Sequence, residues 1–171
     1  EFSPTMTMPD VDMRGRTRGP ARAYAQSLKA VVQFMGQPGG PGIAMVSLDG
    51  WDSHAGQANF LNTRFEGMDA GFAELRSALG PHWDRTCIIL CSEFGRTVSE
   101  NGTRGTDHGT GGLVIIAGGA VKGGHIFGDW PGTAPRALHE GRDLAPANDL
   151  TGILKGLLRD HIGIDRRALD T

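Results

Sequence analysis

The stretch Ile43-Ala44-Met45-Val46-Ser47-Leu48-Asp49-Gly50-Trp51-Asp52-Ser53-His54 decides how this chain reads. Its first half is a continuous apolar run behind the breaker segment Gln37-Pro38-Gly39-Gly40-Pro41-Gly42. A short apolar run bounded by turn residues predicts a strand buried on both faces. The second half is polar and turn-forming, so such a strand would deliver Asp49, Asp52 and His54 at its carboxyl end. Further along, Thr86 to Ser92 and Leu113 to Ala117 are runs of the same kind and predict two more buried strands. Between the first two, Leu61, Phe65, Met68, Phe72, Leu75 and Leu79 recur at threes and fours, which predicts an amphipathic helix stopped by Gly80-Pro81. Continuous apolar strands alternating with helices point to an α/β fold, a parallel sheet covered by helices on both faces. In such sheets ligands bind at the carboxyl ends of the strands.

Upstream, Tyr24, Leu28, Val31, Val32 and Met35 share one face of a helix predicted over Pro20 to Met35, with Gly36 as its stop. Residues 1–19 show no periodicity and read as a flexible lead-in, with no apolar core of a signal peptide. Downstream, Gly123 to Phe127 reads as a short further strand. Asp149 is suited to cap a last helix carrying Leu150, Ile153, Leu154, Leu157 and Leu158, and the tail after Gly163 reads as surface. A length of 171 residues suits one domain, here 20–171.

Composition narrows the partners. The formal charge of −2, with Lys and Arg evenly scattered, provides no basic face for a nucleic-acid backbone. No window approaches the roughly 18 apolar residues that would predict a membrane span. Glycine, at 27 residues, is concentrated in loops after apolar runs, as in loops that crowd a site. Cys87 and Cys91 would lie about 13 Å apart on a strand, beyond the roughly 7 Å that a disulfide bridges, so they read as two small residues on one strand face.

The chemistry-bearing residues gather at the predicted strand ends. Asp52 and His54 follow the first strand, Glu93 follows the second, and Asp107-His108 precedes the third. Carboxylates and imidazoles in this mixture suit zinc or manganese, with magnesium or calcium where carboxylates dominate. Taken singly, each has a plainer reading: an Asp after a strand is often a turn former, and Asp107-His108 between Gly105 and Gly109 could be a solvated loop. Arg96 could hold an anionic substrate through its planar fork of donors, or form a structural ion pair with Glu93 or Asp107. His82, His125, His139 and His161 read as surface residues, and Asp143 and Asp149 as loop and cap residues. No Gly-x-Ser-x-Gly elbow, P-loop or paired Cys-x-x-Cys occurs.

Three strings together carry a family resemblance: Leu48-Asp-Gly-Trp-Asp-Ser-His-Ala-Gly-Gln57, Ser92-Glu-Phe-Gly-Arg-Thr97 and Gly105-Thr-Asp-His-Gly109. With Gly118-Gly119, the Gly141-Arg-Asp-Leu144 turn and the segment Asp149 to Gly163, the chain resembles a bacterial domain-of-unknown-function family from about Tyr24 onward. Members of that family are often exported with twin-arginine signals. They are placed by fold with alkaline phosphatases, sulfatases and cofactor-independent phosphoglycerate mutases. The resemblance implies a three-layer αβα sandwich with a mostly parallel sheet and a site of two divalent metals beside a Ser, Thr or modified Cys nucleophile. It implies a periplasmic or exported location and a small anionic ester as substrate.

By position, Asp52 and His54 resemble the Asp and His of one metal, and Glu93 stands where the second-metal stretch has Asp. Phe94 departs from the pattern, occupying the place of a His or Asn ligand. His108 resembles either part of an Asp-His metal pair with Asp107 or the later lone His before an apolar strand and a Gly-Gly turn. The nucleophile and a first metal-binding Asp belong in relatives to an N-terminal half, upstream of the segment equivalent to Tyr24, which is expected to be missing here. The resemblance thus implies a metal-dependent hydrolase of phosphate or sulfate esters, assisted by Arg96. The alternative is a binding or scaffold protein that keeps the fold without a complete metal centre. An open sheet edge could also pair with another copy, making a homodimer.

Overall fold

The computed structural model describes residues 20–170, with side chains from residue 26 onward. The lead-in expected over residues 1–19 lies outside the described residues. The chain forms two compact units. One runs through Trp83 and takes in Asn101–Gly105, and the other holds Asp84–Glu100 and the chain from Thr106 onward.

The first unit is a helix pair followed by a loop. Helix α1 spans Pro20–Met35, with the bounds its apolar periodicity and Gly36 predict. Helix α2 spans Gln57–Leu79 and ends at Gly80, as the Gly-Pro stop requires. The two helices pack on each other. The buried residues of α2 are Gly67, Gly71 and Leu75, a line at i, i+4 and i+8. Two glycines on that line let another backbone approach closely. As a result the apolar stripe read from the sequence is only partly covered, and Phe65 remains 48% exposed. Val31 of α1 and Leu75 of α2 are the large apolar side chains that are buried among the described residues.

Residues 43–48, expected as a buried strand, form none. Met45 is 75% exposed, and only Val46 and Leu48 are half-buried. The reason is pairing: an extended segment becomes a strand only against a ladder partner, and no β-ladder lies among the described residues of this unit. The loop that follows is packed down at Trp51, whose ring meets Phe65 edge-on at 5.5 Å.

The second unit is built on two small ladders. Strand β1 (Ile88–Leu90) and strand β4 (Ile115–Ala117) are the centres of two predicted strands. They pair antiparallel, Ile88 with Ala117 and Leu90 with Ile115, where a parallel sheet was expected. Strands β2 (Gly95–Arg96) and β3 (His108–Gly109) also pair antiparallel, Arg96 opposite His108. Two-stranded ladders do not by themselves make a three-layer sandwich, which stays an expectation. Residues 123–127 form no strand, and Ile126 and Phe127 are solvent-exposed with no pairing segment to cover them. Helix α3 (Leu150–Leu157) is capped by Asp149, whose carboxylate accepts from the amides of Thr151 and Gly152. A π-type turn, Leu158–Ile162, carries it to Gly163, and a short helix α4 (Arg166–Leu169) follows. Cys87 is half-buried, Cys91 is exposed and both thiols are free.

What is buried in this second unit is polar or backbone: Asp143, Thr97, Gly95 and Gly111. The Asp143 side chain is only 6% exposed, and Arg142 Nε donates to it at 2.7 Å. Thr110 Oγ1 donates to its other oxygen at 2.8 Å. Its main chain bridges to Thr97, and Leu144 N donates to Arg96 O at 3.2 Å. The turn around Asp143 therefore braces the strand that carries Arg96.

Candidate metal centre

Asp52 and His54 sit in the loop between residues 43–48 and α2. His54 Nε2 lies 3.1 Å from Asp52 Oδ1, with both side chains about half exposed, at 47% and 48%. A carboxylate oxygen and an imidazole nitrogen facing each other at this distance share a proton or present a mixed oxygen and nitrogen pair to a cation.

A single pentapeptide, Asn101-Gly102-Thr103-Arg104-Gly105, holds this turn. Asn101 Nδ2 donates to His54 O at 3.0 Å, and Thr103 Oγ1 lies 2.5 Å from the same oxygen. Gly56 N donates to Thr103 O at 3.0 Å and Gln57 N to Arg104 O at 2.9 Å. These last two bonds satisfy the amide of the N-cap residue Gly56 and the first amide of α2, whose N-terminus has no side-chain cap. Gly105 packs directly on His54: a Cβ there would stand 2.4 Å from the His54 carbonyl carbon and oxygen.

In the second unit His108 is fixed differently. Its ring stacks on Phe94, with centroids 4.2 Å apart and planes at 15°. The Arg96 guanidinium lies 5.0 Å from the Phe94 centroid and donates from Nη1 to Thr106 O at 2.9 Å. Phe94 directly precedes the strand that carries Arg96, and Arg96 is the cross-strand partner of His108. The position at which a ligand was expected thus supports a ligand candidate with its ring. Asp107 is exposed; its main chain is tied to Thr97 through Thr97 N to Asp107 O and Asp107 N to Thr97 Oγ1, each 3.0 Å. Glu93 is exposed, with Ser92 Oγ 3.5 Å from its carboxylate.

Asp52 and His54 of the first unit, a carboxylate and an imidazole, and His108 of the second are all exposed and carry side chains able to ligate a metal. A carboxylate and an imidazole fit zinc, a borderline ion, better than an all-oxygen calcium site. His82, His125, His139 and His161 are all exposed, as expected of surface residues. Three residues that matter here carry no signal that sequence reading used. Asn101 and Thr103 sit in a polar loop without periodicity, although Asn-x-Thr is the pattern of an Asx turn. Asp143 read as a loop residue, yet the Arg142 hydrogen bond, followed by that from Thr110, holds its carboxyl below the usual Asp range.

The family model "Protein of unknown function (DUF1501)" matches residues 6–170, and the chain belongs to that family. No curated protein and no solved structure matches it.

Proposed function

We propose that this DUF1501 chain carries the metal-binding part of a hydrolase acting on phosphate or sulfate esters, with Asp52 and His54 as ligands. The observation that carries the reading is the Asp52–His54 pair, a carboxylate and an imidazole 3.1 Å apart in a loop held by hydrogen bonds to its main chain. A divalent ion there would polarise a phosphoryl or sulfuryl oxygen and offset the charge that develops on it. Asp52 would contribute the anionic ligand and His54 a neutral one. Arg96 would hold an anionic ester through its planar fork of donors. An exported location is part of the same proposal and rests on the family resemblance alone.

Elemental analysis of the purified chain after exchange into metal-free buffer tests this reading. It predicts stoichiometric zinc or manganese in the parent, with loss in Asp52→Ala and in His54→Ala. A metal-loaded parent should then hydrolyse aryl phosphates or aryl sulfates, and Arg96→Ala should raise KM more than it lowers kcat. A parent without metal would sink the hydrolase reading.

A second reading, a binding or scaffold protein, is favoured by Phe94, which replaces an expected ligand with an aromatic ring. It predicts a parent that folds identically with and without chelator.

A further inference from the structure

We propose that Asn101 and Thr103 are positioning residues for the metal centre, a clamp that sets His54 through its own carbonyl; this rests on the assignment of His54 as a ligand. The His54 and Asp52 side chains are each about half exposed and face each other at 3.1 Å. What is fixed is the main chain beneath them. The His54 carbonyl lies within hydrogen-bond reach of two side-chain donors, Asn101 Nδ2 at 3.0 Å and Thr103 Oγ1 at 2.5 Å. The amides of Gly56 and Gln57 donate to the carbonyls of Thr103 and Arg104. Four hydrogen bonds from one pentapeptide therefore span residues 54–57.

The clamp is itself pre-set. Asn101 Oδ1 accepts from Thr103 N at 3.0 Å and from Gly105 N at 3.1 Å, so the carbonyl side of its amide is committed and the NH2 side faces His54 O. Thr103 Oγ1 is also 2.9 Å from Asn101 Oδ1. A hydroxyl has one proton, so it serves His54 O or Asn101 Oδ1 at any instant, and Asn101 Nδ2 keeps His54 O satisfied in either case. Arg104 takes a left-handed backbone, φ 59°, a conformation costly for a residue with a side chain and held here by the bonds on either side of it. A ligand imidazole held this way keeps its aim without a buried ring, and outer partners of this kind typically set metal affinity by about 10- to 100-fold.

Asn101→Asp and Thr103→Val separate positioning from shape, because each is nearly isosteric with the native residue. Asn101→Asp keeps an acceptor for the Thr103 and Gly105 amides but turns an oxygen toward His54 O. Thr103→Val keeps the branched shape and removes the hydroxyl. Zinc affinity of the full chain, measured by competition with a chromophoric chelator, should fall about 10-fold in each, while Thr103→Ser should stay within about twofold of the parent. With cobalt at saturation the visible spectrum should change in Asn101→Asp and Thr103→Val and return in Thr103→Ser, a ligand-field readout that loss of stability alone would not move. Parent-like zinc affinity and cobalt spectra in both variants would overturn the clamp while leaving the metal centre standing. A parent that binds no zinc would instead remove the centre, and the clamp's role with it.

Discussion

His54 and His108 are secured in opposite ways. His54 is held by its main chain, with two side-chain donors on its carbonyl and its ring half exposed. His108 is held by its ring, stacked on Phe94 within a short antiparallel ladder. Hydrogen bonds are directional, and a lost donor leaves an acceptor unsatisfied. Aromatic contacts fall off gradually with shape and area. The first region should therefore respond sharply to isosteric changes, whereas the second should respond in proportion to how much ring survives.

The largest effects should come from filling the backbone contacts that underlie both regions. A Cβ at Gly105 would meet the His54 carbonyl at 2.4 Å, and one at Gly95 would meet Gly111 O at 2.1 Å. Gly105→Ala and Gly95→Ala should each lose about 3 kcal/mol of stability in urea unfolding, since backbone on both sides cannot yield as a side chain would. If the regions differ as described, Gly105→Ala should also cost zinc affinity in the protein that remains folded. Equal zinc affinity in both variants would erase the distinction.

Next in size is the acid response of the Asp143 turn. Its carboxyl pKa is lowered in the folded chain by Arg142 and Thr110, so the stability it contributes is present above the unfolded value and lost as pH falls through the folded one. That window lies below about pH 4. Thermal melts from pH 7 down to pH 3 should show Asp143→Asn less stable at neutral pH and with a shallower acid decline than the parent. Parallel curves would show that the Arg142 pair adds nothing to the fold.

A smaller and graded effect is expected at Phe94. Phe94→Leu should cost about 1 kcal/mol of stacking, read as a small drop in melting temperature and a downfield move of the His108 ring protons. Phe94→Tyr should retain both. An all-or-none loss with Tyr would mean that the stack behaves like the clamp. Last, Asp149→Ala removes the cap of α3 and should cost about 1 kcal/mol without changing zinc affinity, since it touches neither hold. A change in affinity would mean that global stability, not local geometry, governs the site.

The sequence made the helices legible because burial on one face imposes a period. The spans Pro20–Met35 and Gln57–Leu79 end where Gly36 and Gly80 stand, and Asp149 caps α3 as its position suggests. The centres of two strands were legible for the same reason, since continuous apolar runs mark Ile88–Leu90 and Ile115–Ala117. Their antiparallel pairing was not, because a run of apolar residues does not name its neighbour. The segments 43–48 and 123–127 show the converse: apolar content alone formed no strand without a ladder to join. Asp52, His54 and His108 could be singled out by donor type and loop position, whereas Asn101, Thr103 and Asp143 could not. Their roles depend on partners remote in sequence, and polar loop residues carry no periodic mark of those partners.

The two free thiols give the molecule a handle of its own. Burial pushes the Cys87 thiol up, away from the thiolate that reacts, while Cys91 stands in solvent next to Ser92 and Glu93. At neutral pH a maleimide should attach to Cys91 first, placing one fluorophore between β1 and the Phe94 platform without any engineered residue. Changes at that end of the strand could then be followed by emission in real time.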